Sequence, residues 1–348
     1  MNPESSSVSP TFDFSPLQQP LSDADLAAYR SLNNKDGKAK KALWIIIVSV
    51  LALPTLFAML SSNINDMQHG DFSVLFFMAV WLAVVGGVIY VISLLINAAE
   101  KRKARLYSFA IRNHLTFINE QADPGYAGMI FDEGHSRSIS AGYVFPQQTE
   151  IGNYTYITGS GKNSETHEWG YVKVKMPRKL PNMVLDAKSN NAFGRFTNLP
   201  DTFRKDQVLS LEGDFNDHFT LYAPTEYERD ALYVFTPDVM AKLIDYGGGF
   251  DMEVVEDELF IYKSGKFDLS SQTELTNLLS IVDSMGSELR EQTEYYADEQ
   301  VGDRTQDVVA PQGLRLKHGI NWIAVIIVIA FLAFNFLPPI IGLFTGGR

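Results

Sequence analysis

Hydrophobic and polar positions follow three regimes along this chain. In the first, long stretches are apolar all round: Ala42–Leu60, Phe72–Ile96 and Ile320–Leu337 contain no Asp, Glu, Lys, Arg or His. A hydrocarbon layer about 30 Å thick needs roughly 20 apolar residues at 1.5 Å per residue, and helices buried in globular cores rarely stay apolar on every side for that long. The pattern predicts a transmembrane hairpin over 42–98 (spans 42–60 and 72–96) and a third transmembrane helix over 319–343. Ala79, Ala83 and Gly87 recur every four residues, a small-residue stripe suited to close helix contact within the hairpin or between copies of the chain.

The second regime is short and alternating. From Leu115 onward, runs rich in Val, Ile, Tyr, Phe and Thr are broken by Gly, Pro and Asn, which predicts strands. They fall at Leu115–Ile118, Ala141–Phe145, Tyr154–Thr158, Trp169–Met176, Asn182–Leu185, Gln207–Leu211, Phe219–Tyr222, Met252–Val255 and Leu259–Tyr262. Helices come late. Thr225 and Glu228 have capping-box spacing, and Thr236-Pro237 sets a cap before Val239, Met240, Leu243 and Ile244, with Gly247 as the stop. Leu275, Leu278, Val282, Met285 and Leu289 recur every three or four residues, predicting a long acidic amphipathic helix over 270–299. Strands first and helices after give an α+β domain over 106–300, an antiparallel or mixed sheet with helices on one face.

The third regime has no period. Residues 1–34 place Pro3, Pro10, Pro16 and Pro20 among serines and predict a disordered tail, within which Ser22 could cap one short helix over 22–32. Residues 301–318 read as a linker to the third span.

Charge orients these segments. Lys and Arg near the ends of a span are retained in the cytoplasm. Lys35, Lys38, Lys40 and Lys41 precede the first span, Lys101, Arg102, Lys103 and Arg105 follow the second, and Arg315 and Lys317 precede the third; only Arg348 lies beyond. That bias predicts a multi-pass protein of the cytoplasmic (inner) membrane, with the amino terminus and residues 106–318 inside and the carboxyl terminus outside. The net charge is −12, and it is local: Leu106–Thr225 holds 11 basic and 13 acidic residues, Glu226–Ala310 holds 6 and 20. No nucleic-acid partner is expected, because phosphate binding needs a basic surface. The acidic stretch is either a solvated face or a dock for a basic protein.

Chemistry is sparse. With no cysteine there is no disulfide, thiolate metal site or thiol nucleophile. Gly161-Lys162 lacks the earlier Gly and following Ser or Thr of a phosphate loop, Gly134-His135-Ser136-Arg137-Ser138 lacks the second Gly of a hydrolase elbow, and His167-Glu168 has Tyr171 where a zinc helix needs its second His. No catalytic residue and no cofactor are expected. The densest hard ligands are Glu212, Asp214, Asp217 and His218; three carboxylates and an imidazole suit magnesium, manganese or zinc, although a polar turn between strands is the simpler account of them. The expected function is accordingly a membrane protein with a cytoplasmic binding or scaffold domain, the alternative a membrane-tethered metal-dependent enzyme using residues 212–218.

Four segments carry a resemblance. Leu209-Ser210-Leu211-Glu212-Gly213-Asp214-Phe215, Phe219-Thr220-Leu221-Tyr222 and Ala231-Leu232-Tyr233-Val234-Phe235-Thr236-Pro237-Asp238-Val239-Met240 look like the signature of an uncharacterised family of bacterial membrane proteins, and Leu180–Asp186 is similar to its actinobacterial members. The resemblance implies a bacterial origin and a transmembrane hairpin before a cytoplasmic α+β domain; it brings no assigned activity or site residues.

Overall fold

The computed structural model describes residues 12–32, 36–62, 73–191, 197–319, 325–326 and 328–334. It divides into two compact units, Met1–Asn119 with Leu269–Gln272, and Glu120–Asp268 with Thr273–Arg348.

The first unit holds helices α1 (Ser15–Gln18), α2 (Asp23–Leu32), α3 (Asp36–Ser62) and α4 (Ser73–Arg112), and the short strand β1 (Thr116–Ile118). Two helical stretches, 42–62 and 74–112, are long and apolar enough to cross a membrane. Trp44, Ile45 and Val48 of α3 share a crevice with Ile89, Ile92, Ser93 and Ile96 of α4, so the start of one apolar run meets the end of the other. Pro54 lies inside α3 without ending it. The small-residue stripe is not in that seam. Ala79, Ala83 and Gly87 are exposed, and a Cβ on Gly87 would meet nothing within 4 Å. Bulky aliphatic side chains and Trp44 fill the contact between the helices instead. The third span, 319–343, and the loop at 63–72 lie largely outside the described residues, of which 325–326 and 328–334 are helical.

Residues 12–32 depart from the expected disorder. Phe14 stacks on Phe109 of α4 with ring centroids 5.4 Å apart, Tyr29 lies against Tyr107, and Tyr29 donates to Asn119 Oδ1 at 3.0 Å. Asp13 N–H donates to Asn113 Oδ1 at 2.7 Å, and Arg30 pairs with Glu100 at 2.9 Å. Ser22 caps α2 as its sequence position suggested, accepting from Asp25 N–H at 3.1 Å. Few apolar residues are present, but Phe14, Leu17 and Tyr29 land where α4 leaves its uniformly apolar run and offers Leu106, Phe109 and Ala110. That burial offsets the ordering entropy that the tail's composition alone does not.

The second unit is an α+β domain. Its strands are β2 (Gln121–Ala122), β3 (His135–Phe145), β4 (Thr149–Thr158), β5 (Glu165–Ala187), β6 (Val208–Leu209), β7 (Phe219–Tyr222) and β8 (Asp251–Ser264), paired antiparallel. The 23-residue β5 is the axis. One of its edges pairs with β4 over 165–174 and with β7 over 184–187, while β8 follows the other edge. Sequence punctuation divides β5 at Pro177–Pro181 and β8 at Glu256–Glu258; the structure runs both strands through. The register shifts between Lys175 and Leu180, and Glu256 opposite Leu180 takes a φ of 54°. Prolines, which cannot donate to a ladder, thus sit at a bulged bend rather than a break.

Its helices are α5 (Phe215–His218), α6 (Glu228–Val234), α7 (Pro237–Gly247), α8 (Gln272–Ile281) and α9 (Ser287–Thr293), with a π-helical turn at Val282–Gly286. Thr236 caps α7 as expected, accepting from Val239 N–H at 3.4 Å, and that helix ends at Gly247. The capping box at Thr225 does not form, because α6 starts two residues later with Tyr227 as its cap. The single helix expected over 270–299 is interrupted and stops at Thr293. Asp298 draws the chain inward, accepting from Tyr227 Oη at 2.8 Å, Ala310 N–H at 2.8 Å and Gln300 N–H at 2.7 Å. Nor is 301–318 a free linker. Leu316 N–H donates to Asn182 Oδ1 at 2.9 Å, Lys317 N–H to Gln207 Oε1 at 2.8 Å and Gly319 N–H to Thr202 O at 2.7 Å, while Val309, Ala310 and Leu316 are buried.

Candidate functional site

Alternation along the strands sorts the side chains of this sheet onto two faces. Ile151, Val172, Val174, Leu259 and Ile261 share one face by register, together with Asn153 and Gly170. The Phe267 ring lies over Gly170, where a Cβ would come within 2.7 Å of it, and Asn153 closes the arrangement by bonding both the N–H and the carbonyl of Phe267. Gly286, at the end of the π-helical turn, rests on Val174. Leu275, Leu278, Met285 and Leu289 are buried, as their spacing predicted.

Tyr154, Trp169, Tyr171, Lys173, Phe260 and Tyr262 share the opposite face with Glu150. Tyr126 and the turn Met129–Phe131 cover it, with Phe131 4.5 Å from Tyr154 and 5.2 Å from Tyr171 between ring centroids. Glu150 accepts from Tyr126 Oη at 2.8 Å and from Tyr171 Oη, and Lys173 pairs with Glu150 at 3.6 Å and Glu258 at 3.7 Å while lying 3.5 Å over the Tyr126 ring. Glu253 accepts from Met129 N–H at 2.7 Å, Tyr262 Oη at 2.8 Å and Asn182 Nδ2 at 3.1 Å. Burial pushes the Glu253 carboxyl up to about 7, against the pull of those hydrogen bonds. Burial, and then the neighbouring carboxylate charge, raises the Tyr126, Tyr171 and Tyr262 hydroxyls, so they stay protonated and donate. Perturbed acids cluster at catalytic sites, and structural hydrogen-bond networks perturb them as well. Here the oxygens of Glu150 and Glu253 are engaged by donors from the protein itself, which fits a network that locks the face.

The sequence-predicted ligands do not converge. Glu212, Asp214, Asp217 and His218 are all exposed along the turn leading into and through α5, and no group of three His, Asp or Glu able to hold a metal is found among the described residues. Gly213 takes φ 69°, and Asn216 ties the turn by accepting from Leu211 N–H at 3.1 Å. That is the polar-turn arrangement. His167 likewise serves packing, stacked 4.8 Å from Tyr156 and bonded to Thr158 at 2.8 Å.

Two surface features were not legible as sites. An open groove of about 600 Å³ is lined by Gln148, Lys175, Met176, Pro177, Arg290, Glu291 and Glu294. Beside it α6 and α9 pack together, Gln292 Nε2 donating to Tyr233 O at 2.9 Å and Tyr233 lying 6.0 Å from Tyr296. This places exposed Leu232, Tyr233 and Tyr295, the last 81% exposed, among exposed Glu228, Glu291 and Glu294. Several other acids of this region carry partners: Glu274 has Lys263, Glu288 has Lys242 and Glu299 has Arg229.

No family model matches the chain, and no curated protein matches it. Among solved structures, the mycobacterial trehalose monomycolate transport factor A, TtfA, aligns with 54% of this chain and 94% of its own at 11% identity, with a TM-score of 0.35. A likeness that loose carries no argument about this protein.

Proposed function

We propose that this protein is a docking module anchored in the cytoplasmic membrane of a bacterium. In this reading α3 and α4, with a third span at 319–343, hold the α+β domain on the cytoplasmic side, and the surface of α6 and α9 captures a basic segment of another protein. The supporting observation is the interleaving of exposed carboxylates Glu228, Glu291 and Glu294 with exposed Leu232, Tyr233 and Tyr295. Carboxylates steer an Arg- or Lys-rich chain, and exposed phenol rings accept guanidinium and ammonium groups on their faces. The ten-to-one cation bias supports the orientation. The Ala79, Ala83 and Gly87 stripe, exposed on α4, offers a surface for close contact between copies within the membrane.

The test uses the full chain in lipid nanodiscs and a peptide alternating arginine with aromatic residues. Binding should weaken steeply with added salt and should be lost in a Glu228→Gln, Glu291→Gln, Glu294→Gln variant and in Tyr295→Ala, with unchanged circular dichroism. Binding indifferent to both salt and neutralisation sinks the docking reading. For orientation, a reporter active only outside the cytoplasm should work after Arg348 and fail at Ser160; activity at Ser160 reverses the topology.

A further inference from the structure

The junction of β5, β7 and β8 holds four oxygen-bearing side chains, three of which leave an oxygen without a partner among the described residues. Asp186, opposite Thr220 of β7, is 4% exposed, and Asp251, the first residue of β8, is 0% exposed. Ala187 N–H donates to Asp251 Oδ1 at 2.9 Å, which holds the residue following Asp186 directly against the second carboxylate. Asn190 Nδ2 and Asn198 Nδ2 both donate to Asp251 Oδ2 at 2.9 Å. Asp251 therefore meets three donors, one on Oδ1 and two on Oδ2, against the roughly four acceptor positions of a carboxylate. Asp186 Oδ1, Asn190 Oδ1 and Asn198 Oδ1 are all buried and have no hydrogen-bond partner among the described residues.

This arrangement does not result from the amides being turned the wrong way. Reversing Asn190 or Asn198 would set its carbonyl oxygen against the Asp251 carboxylate, so Asp251 itself dictates that both amide oxygens face elsewhere. Three orphaned acceptors around two buried carboxylates are costly, because each has given up water without a replacement. Asn191 and Thr197 bond the Asp186 carboxylate, and Lys188 eases its charge, but the Lys188 ammonium is engaged with Asn216 O. Burial raises both acids, Asp251 to about 6, and the Asp186 charge adds to the rise at Asp251.

We propose that Asp186, Asp251, Asn190 and Asn198 form a binding site for a hard divalent cation, calcium by its donor chemistry. All the donors are oxygens, two anionic and two neutral amide, with neither imidazole nor thiolate, which selects against zinc and the later transition metals. The net charge of two carboxylates matches a divalent ion. Amide oxygens of Asn190 and Asn198 with the carboxylates of Asp186 and Asp251 suit the adaptable shell of calcium better than the strict octahedron of magnesium. A single water supplies two hydrogens to three acceptors and neutralises no charge. Sequence pattern does not reveal this set, because its members are spread over 66 positions and two of them are amides.

The experiment uses the full chain in detergent, stripped with chelator and titrated with calcium chloride, magnesium chloride serving as the control. Calorimetry should show one site, and the thermal midpoint should rise with calcium up to about 5 mM, since a ligand that binds only the folded state stabilises it. Asp186→Asn should weaken calcium at least about tenfold, because it removes half of the carboxylate charge, while leaving the chelated midpoint unchanged or higher. Asn198→Asp should do the reverse, lowering the chelated midpoint and tightening calcium; it provides a second readout if Asp186→Asn fails to fold. Absence of calcium uptake by the wild type, or uptake that neither variant alters, overturns the proposal. A purely structural role for Asp186 predicts no difference between the chelated and calcium-loaded ranking of the variants. None of these readouts involves α6 or α9, so this site and the docking surface fail independently.

Discussion

The two faces of the central sheet come from the same strands and alternate residue by residue, yet they are stabilised by different physics. The face bearing Val172, Val174, Leu259 and Ile261 is aliphatic, with α9 packed against β5 and Gly286 resting on Val174. Its stabilisation is non-directional, scaling with the area removed from water, so it tolerates small shifts and punishes holes or charges. The face bearing Tyr154, Tyr171, Phe260 and Tyr262 encloses the carboxylates Glu150 and Glu253, and each must be met by donors in one geometry. Net gain per hydrogen bond there is small, but the penalty for an unmet partner is large. One face supplies stability, and the other specifies how β5, β8 and the turn at 129–131 fit together.

The comparison breaks most sharply at Leu278, which is 1% exposed. Leu278→Asp buries an unpaired charge and should destabilise by more than about 4 kcal/mol, which urea unfolding of the full chain in detergent would register as loss of the folded baseline. A fully folded variant would mean that the aliphatic face is looser than its burial implies. Next in size is Glu253→Ala, which strands Met129 N–H and Tyr262 Oη, leaves Asn182 Nδ2 with Val254 O alone, and should cost about 3 kcal/mol or more.

Glu253 also sets a pH dependence whose sign follows from its raised carboxyl. Between its unfolded value of about 4.3 and its folded value of about 7, the folded state holds a proton that the unfolded state releases. This contribution is therefore fully present below pH 4.3 and is lost as pH rises to 7. Unfolding midpoints of wild type and Glu253→Gln across that window should converge towards the acid end and differ in slope above it; parallel curves would remove Glu253 as the source.

Smaller still is Gly170→Ala on the aliphatic face. The added Cβ meets the Phe267 ring at 2.7 Å, and overpacking of this kind costs about 1–3 kcal/mol in a chemical denaturation experiment. The smallest effect is expected away from both faces: Glu291→Gln with Glu294→Gln, on the exposed side of α9, should change stability by less than about 0.5 kcal/mol. A larger loss would tie these acids to folding rather than to docking.

Much of this architecture is written in local pattern. The apolar runs at 42–60 and 72–96 announce two helices long enough to span a membrane, because uniform hydrophobicity over about 20 residues has few other structural uses. Alternation located Phe219–Tyr222, Tyr154–Thr158 and Trp169–Met176 within observed strands, and the period of Leu275, Leu278, Met285 and Leu289 identified their buried helical face. What pattern missed depends on residues distant in sequence. Pro177 and Pro181 look like a break until β8 is laid along β5 and the register shift absorbs them. Residues 12–32 and 301–318 look structureless until Phe109, Asn182 and Gln207 provide the surfaces that order them. The acidic run 212–218 is dense in sequence but lies exposed along one turn, whereas Asp186, Asn190, Asn198 and Asp251 are dispersed in sequence and gathered in space. Periodicity and composition are nearest-neighbour properties and are settled by the chain alone; coordination and hydrogen-bond completion are properties of residues that only tertiary folding brings within 3 Å of one another.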